Sequence, residues 1–231
     1  MINIRINSRK HKTSLKKSLH CSHMPILKKD KNSYHHGNLA ESLLDAVDEI
    51  ATKFGLEAVS LRACAKLVGV SPSSAFRHYA DKRALLTAFA TRALQQLSAK
   101  MAEASQQAQV QDEDAFFAVG LSYIDFALTK PAFFRAMWRE ETIYCNDEAY
   151  VAATDQLSGH LQSGFADTIE DKDPESFSAQ ELLAWSSVHG LAHLFVEGPI
   201  GRGADKAQRL QMAGEMIRAL RPAFESSAST S

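Results

Sequence analysis

Residues 60–82 read Ser-Leu-Arg-Ala-Cys-Ala-Lys-Leu-Val-Gly-Val-Ser-Pro-Ser-Ser-Ala-Phe-Arg-His-Tyr-Ala-Asp-Lys, and their spacing predicts two short helices that cross steeply through a tight turn. Such a crossing needs a small residue at the contact and a turn residue that tolerates positive φ. Ala65 and Gly69 stand in those places. Cys64, Val68, Val70 and Ala75 supply apolar inner contacts. Ser60 is a fitting N-cap for the first helix, and Ser71 followed by Pro72 gives the second an N-cap and an N1 proline. What remains outward on the second helix is Ser73, Ser74, Arg77 and His78, polar side chains able to meet base edges and phosphates. A helix-turn-helix with a basic outer face points to DNA, although the shape alone also serves proteins that never touch it.

Outward from this motif, helical spacing recurs and strand patterns are nearly absent. Asn38 and Glu41 resemble a capping box. Leu39, Leu43, Ala46, Val47, Ile50 and Phe54 then repeat at helical intervals until Gly55 stops them. Asp81 caps a longer helix whose inner residues are Leu85, Leu86, Phe89, Leu94, Leu97 and Met101. The polar run at 105–112 marks a domain boundary. Helices are expected beyond it near 113–129, 131–139, 147–167, 178–197 and 204–221, with loops at 171–176 and 198–203. Pro131 opens the second of these, and Ser178 with Glu181 forms a capping box for the fourth. The fold class is all-α. A basic extension at 1–33 precedes a helix-turn-helix head at 34–82, a linking helix at 83–104, a larger helical domain at 105–224 and a frayed tail at 225–231.

The chain has 231 residues, 45% of them hydrophobic, enough to bury a core in each of two domains. Cys21, Cys64 and Cys145 lack the paired spacing of a disulfide framework or zinc module, so a reducing cytoplasm fits best. No apolar run approaches a membrane span. The formal net charge of −1 conceals a gradient. Residues 1–36 hold nine basic side chains against Asp30 alone, residues 37–100 hold eight basic and six acidic, and the rest is strongly acidic. A basic front and an acidic rear suit a protein that offers one end to a polyanion. Residues 1–23 are polar and aperiodic, and Met24 is a candidate translation start.

The segments Tyr34-His35-His36-Gly37-Asn38-Leu39, Ser60-Leu61-Arg62, Gly69-Val70-Ser71 and His78-Tyr79-Ala80-Asp81-Lys82 together resemble the TetR family of transcriptional regulators. Trp185, His189 and Gly190 further resemble the subset with a Trp-x-x-x-His-Gly carboxy-terminal domain, as does the run from Phe133 to Trp138 after Pro131. The resemblance implies a homodimer, pairing through its last two helices, that binds a palindromic operator. It also implies a small-molecule effector held among the middle helices, with repression the commoner mode. Two departures stand out. Ser73 occupies a place where glycine is usual, and Phe76 one where tyrosine is usual, so Phe76 cannot donate to a phosphate. Tyr79, where phenylalanine is commoner, reads as a packing residue.

Arg77 is the leading base or phosphate contact, because guanidinium pairs bidentately with guanine. Ser73 and Ser74 follow. His78 and Lys82 resemble the family's phosphate-side positions, Ser60 and Arg62 are placed to clamp the backbone, and Ser71 caps the reading helix. The arm at 28–36, including His36, is placed to track the backbone or enter a minor groove. In the body, most of Phe116, Phe117, Tyr123, Phe126, Phe133, Phe134, Trp138, Tyr144, Phe165, Trp185 and Phe195 are expected in the core. Phe126, Met137, Trp138, Trp185 and His189 are the expected effector lining. His189 and His193 share a helix face at a spacing metals use. A zinc site needs three or four ligands, so a satisfied core histidine at 189 is favoured and no metal or cofactor is expected. Leu182, Trp185, Leu191, Ala192 and Phe195 with Leu210, Ala213, Gly214, Ile217 and Leu220 either pair two protomers or complete one core. No phosphate loop, nucleophile elbow or His-Glu-x-x-His motif supports an enzyme. The remaining alternative is a protein-interaction or activating adaptor on the same fold.

Overall fold

The Asn38 side chain accepts the Glu41 backbone N–H at 3.4 Å and so starts α1, Leu39–Phe54. Leu43, Ala46, Val47 and Ile50 turn inward, as their spacing predicts. Phe54 does not. It is 43% exposed, because the helix ends there and Gly55, at φ +82°, turns the chain away before the ring can be covered. This computed structural model describes residues 38–163 and 178–225, all of which belong to one unit spanning Tyr34–Ser231. The expectations for residues 1–33, for His36 and the arm at 28–36, for Phe165 and the loop at 171–176, and for 226–231 lie outside the described residues.

After a 3-10 turn at Leu56–Ala58 come α2, Leu61–Val68, and α3, Pro72–Phe76. Gly69 takes the left-handed conformation at φ +81°, and its N–H and that of Val70 both donate to the Ala65 carbonyl at 2.9 Å. The turn therefore closes the carbonyl end of α2 on the backbone of the small contact residue. Ala65, Cys64 and Ala75 are wholly buried between the helices, whereas Val68 and Val70 pack on the edge of this core. Burial pushes the Cys64 thiol up to about 11, consistent with a packing residue.

Asp81 accepts the Ala84 backbone N–H at 2.8 Å and opens α4, Lys82–Gln111, a helix of about 45 Å at 1.5 Å per residue. The helix runs unbroken through 105–111, beyond the expected end of the linking helix at 104. Polarity there misleads, because Gln and Ala are strong helix formers whether or not they are buried, and Ala108 is buried. Asp112, at φ +55°, ends it; aspartate is among the few side chains that visit this region.

The body contains α5, Ala115–Thr129, α6, Pro131–Met137, α7, Glu148–Ser163, α8, Ala179–Val196, and α9, Lys206–Glu225. Among the described residues there is no strand. α4 packs on α5, α6 and α7, and α5 packs on α8 and α9. Gly120 allows the last approach, since a Cβ there would stand 3.1 Å from the Ile217 side chain. The capping box of α8 is complete, with Ser178 N–H donating to Glu181 at 2.7 Å and Glu181 N–H to the Ser178 hydroxyl at 3.2 Å.

The segment after α6 ties body to head. Tyr144 O–H donates to Asp81 at 2.7 Å, Arg83 donates to the Ile143 carbonyl at 2.6 Å, and Arg139 donates to Glu57 at 2.8 Å. Tyr144 is therefore a rim residue rather than the core residue its type suggests. The Ala84 amide and the Tyr144 hydroxyl hold the Asp81 carboxyl below the usual carboxylate range. Deeper in, Phe89 of α4 stacks on Phe133 of α6 with centroids 4.4 Å apart.

Candidate nucleic-acid interface

α3 buries Ala75 and presents Ser73 and Phe76 to solvent, while Arg77, expected on this helix, is its C-cap and His78 lies in the turn beyond it, both exposed. Its N-cap, Ser71, accepts the Ser74 backbone N–H at 3.2 Å and shares hydrogen bonds with the hydroxyls of Ser73 at 2.9 Å and Ser74 at 2.8 Å. Arg77 donates from Nη2 to the Ser74 hydroxyl at 3.3 Å. This contact holds one side of the guanidinium, and among the described residues its other donors are open to a base or phosphate. Ser71 and Ser74 are thus partly committed to one another, a coupling that residue-by-residue reading of the sequence does not show.

The flanking positions divide in the same way. Ser60 accepts the Ala63 backbone N–H at 3.1 Å, so its first task is capping α2, while Arg62 stands exposed on that helix. Lys82 reaches back to the carbonyls of Leu56 at 3.3 Å and Glu57 at 3.2 Å. Its ammonium ties the start of α4 to the 3-10 turn and retains one further donor. Tyr79 O–H donates to the Ala40 carbonyl at 3.3 Å, and burial pushes that hydroxyl up to about 12. Tyr79 is the packing residue expected from its place in the motif.

Sequence reasoning passed over Phe76. The ring is 46% exposed, on the same outer side as Ser73 three residues earlier and Pro72 four residues earlier. Its lack of a phosphate donor kept it off the expected contacts, and its helical spacing from Pro72 is the signal that was not used.

In the body, Trp138, Trp185 and His189 come together. Trp138 lies 5.8 Å from Trp185 and 5.0 Å from His189 between ring centroids, and Phe134 lies 5.5 Å from His189. Tyr123, which the expected lining omitted, hydrogen-bonds to His189 Nδ1 at 2.9 Å. Burial raises the Tyr123 hydroxyl, whereas burial and then the neighbouring His193 lower the His189 imidazole. A neutral His189 accepting at Nδ1 from the tyrosine, with its proton on Nε2, satisfies both preferences. The other two expected lining residues sit differently. Met137 is wholly buried, and Phe126 is a core ring beside Phe133 with centroids 6.5 Å apart. An open groove of about 480 Å³ lies elsewhere, lined by Lys100, Glu103, Gln107, Phe117, Leu121 and Asp125. Among the described residues no group of three or more metal-ligating side chains occurs, and no helix is long and apolar enough to cross a membrane.

Much of the apolar surface of α8 and α9 completes the protomer core, with Ala192, Phe195, Ala213 and Ile217 buried. A second set remains outside: Leu182, at 51% exposure, with Leu183, Leu194 and Met212.

Residues 43–89 match the family described as bacterial regulatory proteins, tetR family, and residues 116–220 match the family described as tetracyclin repressor-like, C-terminal domain. The chain is 30% identical over 100 residues to YobS of Bacillus subtilis (strain 168), described as an uncharacterized HTH-type transcriptional regulator; the match covers 43% of this chain and about half, 51%, of that protein. A protein of unknown function from Rhodococcus sp. RHA1 superposes with a TM-score of 0.63 at 26% identity, over 82% of this chain and 98% of that one. The TetR family regulator PfmR from Thermus thermophilus shares the fold with a TM-score of 0.56 at 17% identity, over 77% of this chain and 96% of that one. With a helix-turn-helix head and a helical body that each match their counterparts, the chain belongs to the TetR family of transcriptional regulators.

Proposed function

We propose that this chain acts as a homodimer that places two α3 helices in successive major grooves of a near-palindromic operator, represses transcription there, and is released by a small, partly apolar molecule. As a member of a family of regulatory proteins it is not an enzyme. The observation that carries the reading is α3 with the turn that follows it, which together bury Ala75 and leave Ser73, Arg77 and His78 exposed. Arg62, Ser74 and the remaining donor of Lys82 extend that surface, with Ser60 and Ser71 shaping it, and His36, outside the described residues, is a further contact in this reading. Half-sites should lie about 34–36 Å apart or a multiple of that.

The exposed Leu182, Leu183, Leu194 and Met212 support pairing through α8 and α9, because a self-complementary apolar patch is what a two-fold interface buries. The Trp138, Trp185 and His189 cluster, joined by Tyr123, supports an effector site in the body, with Phe126 and Met137 as its core-side members. Release requires that the effector bind one spacing of the heads better than the other. Such a regulator works in the cytoplasm, where its operator is.

The test is to select operator DNA from the chain's own genome and then screen small molecules for release. A near palindrome bound by two protomers is the expected result. Enrichment of no sequence, or a monomer at micromolar concentration by sedimentation, overturns the reading.

A further inference from the structure

We infer that Pro72 and Phe76 form an apolar edge that reads the C5 methyl group of a thymine in the operator's major groove. The inference rests on the proposal that α3 enters that groove. Pro72 and Phe76 stand four residues apart, so they share one side of α3, and both are exposed. The neighbouring Ala75 is wholly buried, which means that the helix is packed firmly and still leaves the phenyl ring outside. The ring lies next to Arg77 in sequence and three residues from Ser73, within the surface proposed to face DNA.

Chemistry narrows the occupant. The ring has no donor or acceptor, so it can neither grip a phosphate nor hydrogen-bond a base edge. The serine hydroxyls beside it are already engaged with one another and with Arg77. Beside the guanidinium, His78 and these mutually bonded hydroxyls, the helix therefore presents one apolar pair. Base edges in the major groove offer donors, acceptors and one prominent apolar group, the thymine methyl. Arg77 takes a guanine or a phosphate, and Phe76 with Pro72 takes the methyl.

Deoxyuridine pairs as thymine does and lacks only that methyl, so the test uses the selected operator with each thymine replaced singly by deoxyuridine and the full-length chain. One thymine per half-site should be sensitive. Its replacement should weaken wild-type binding about fourfold, or about fifteenfold when both half-sites are changed, as expected for loss of one buried carbon at each. Phe76→Ala should bind the thymine and deoxyuridine duplexes equally, and Phe76→Leu, which keeps apolar volume, should retain part of the difference. Two outcomes overturn the inference while leaving DNA binding intact: tight binding that is indifferent to deoxyuridine everywhere, or a Phe76→Ala loss of equal size on both duplexes. The latter marks a ring covered by another part of the chain. Loss of folding in Phe76→Ala by circular dichroism shifts the decision to Phe76→Leu, whose indifference to deoxyuridine also overturns it. Failure to enrich any operator overturns the underlying reading as well.

Discussion

The head and the body both close on buried apolar side chains, yet they are specified differently. In the head a few positions have backbone duties that other residues perform poorly: Gly69 at φ +81°, Ala65 at the helix crossing, and Ser60, Ser71 and Asp81 as caps. The body depends on periodic apolar residues that many sequences can supply. The head also closes its core and turns a polar, basic surface outward, while α8 and α9 leave Leu182, Leu183, Leu194 and Met212 uncovered. One region turns a polar, basic surface outward and the other an apolar one.

The sharpest way to break this division is at the junction. Phe133 is buried and stacks on Phe89, so Phe133→Ala should cost about 3–5 kcal/mol in urea unfolding. Loss of the α4 and body signals together is expected; a change confined to α6 would mean that the junction does not unify the unit. Within the head, Ala65→Leu overfills the α2 and α3 crossing and should cost about 1–3 kcal/mol. Operator affinity should fall with it, while effector binding should persist if the body is shaped independently.

Smaller effects probe the body. Among the described residues a Cβ on Gly190 would meet nothing within 4 Å, and glycine inside a helix costs about 0.5–1 kcal/mol relative to alanine. Gly190→Ala should therefore raise stability by that amount. Weakened self-association by sedimentation, without the gain, would place the partner's helix across this glycine. The smallest effect is a pH slope. His189 titrates below its ordinary 6.5 in the folded body, because of burial and His193. Between the two values the unfolded chain holds more protons, so stability rises with pH. Lowering pH from about 7.5 to about 5.5 should depress Tm, and His189→Gln should flatten that slope.

The same division explains what was legible in the sequence. The head could be read nearly residue by residue, since each cap and turn has a local signature: Asn38, Ser60, Ser71 and Asp81 all accept the backbone N–H three residues on. What stayed hidden there were side-chain couplings, namely the Ser71, Ser73, Ser74 and Arg77 network and the reach of Lys82 to Leu56 and Glu57. They join hydroxyls and cations whose partners depend on rotamers and tertiary approach. In the body the helices were visible from apolar spacing and from caps such as Ser178 with Glu181. Ranking their aromatic residues was not, because spacing gives a face but not its neighbour. Tyr123 was missed at the histidine it bonds, and spacing did not show how deeply Phe126 and Met137 are buried. The continuation of α4 past 104 was hidden for a different reason, since glutamine and alanine read as a polar break and behave as helix formers.

The most direct measurement is a fluorescence-anisotropy titration of the selected operator with wild type and Arg77→Ala, paired with thermal unfolding of both. Arg77 is exposed at the end of α3 and, among the described residues, its guanidinium donates to Ser74. If it reads a guanine, the variant should lose about 1–3 kcal/mol of binding, a factor of about 5 to 150, with relaxed specificity at one position per half-site and an unchanged Tm. Equal affinity of the two proteins for the operator would contradict the assignment of α3 as the DNA reader.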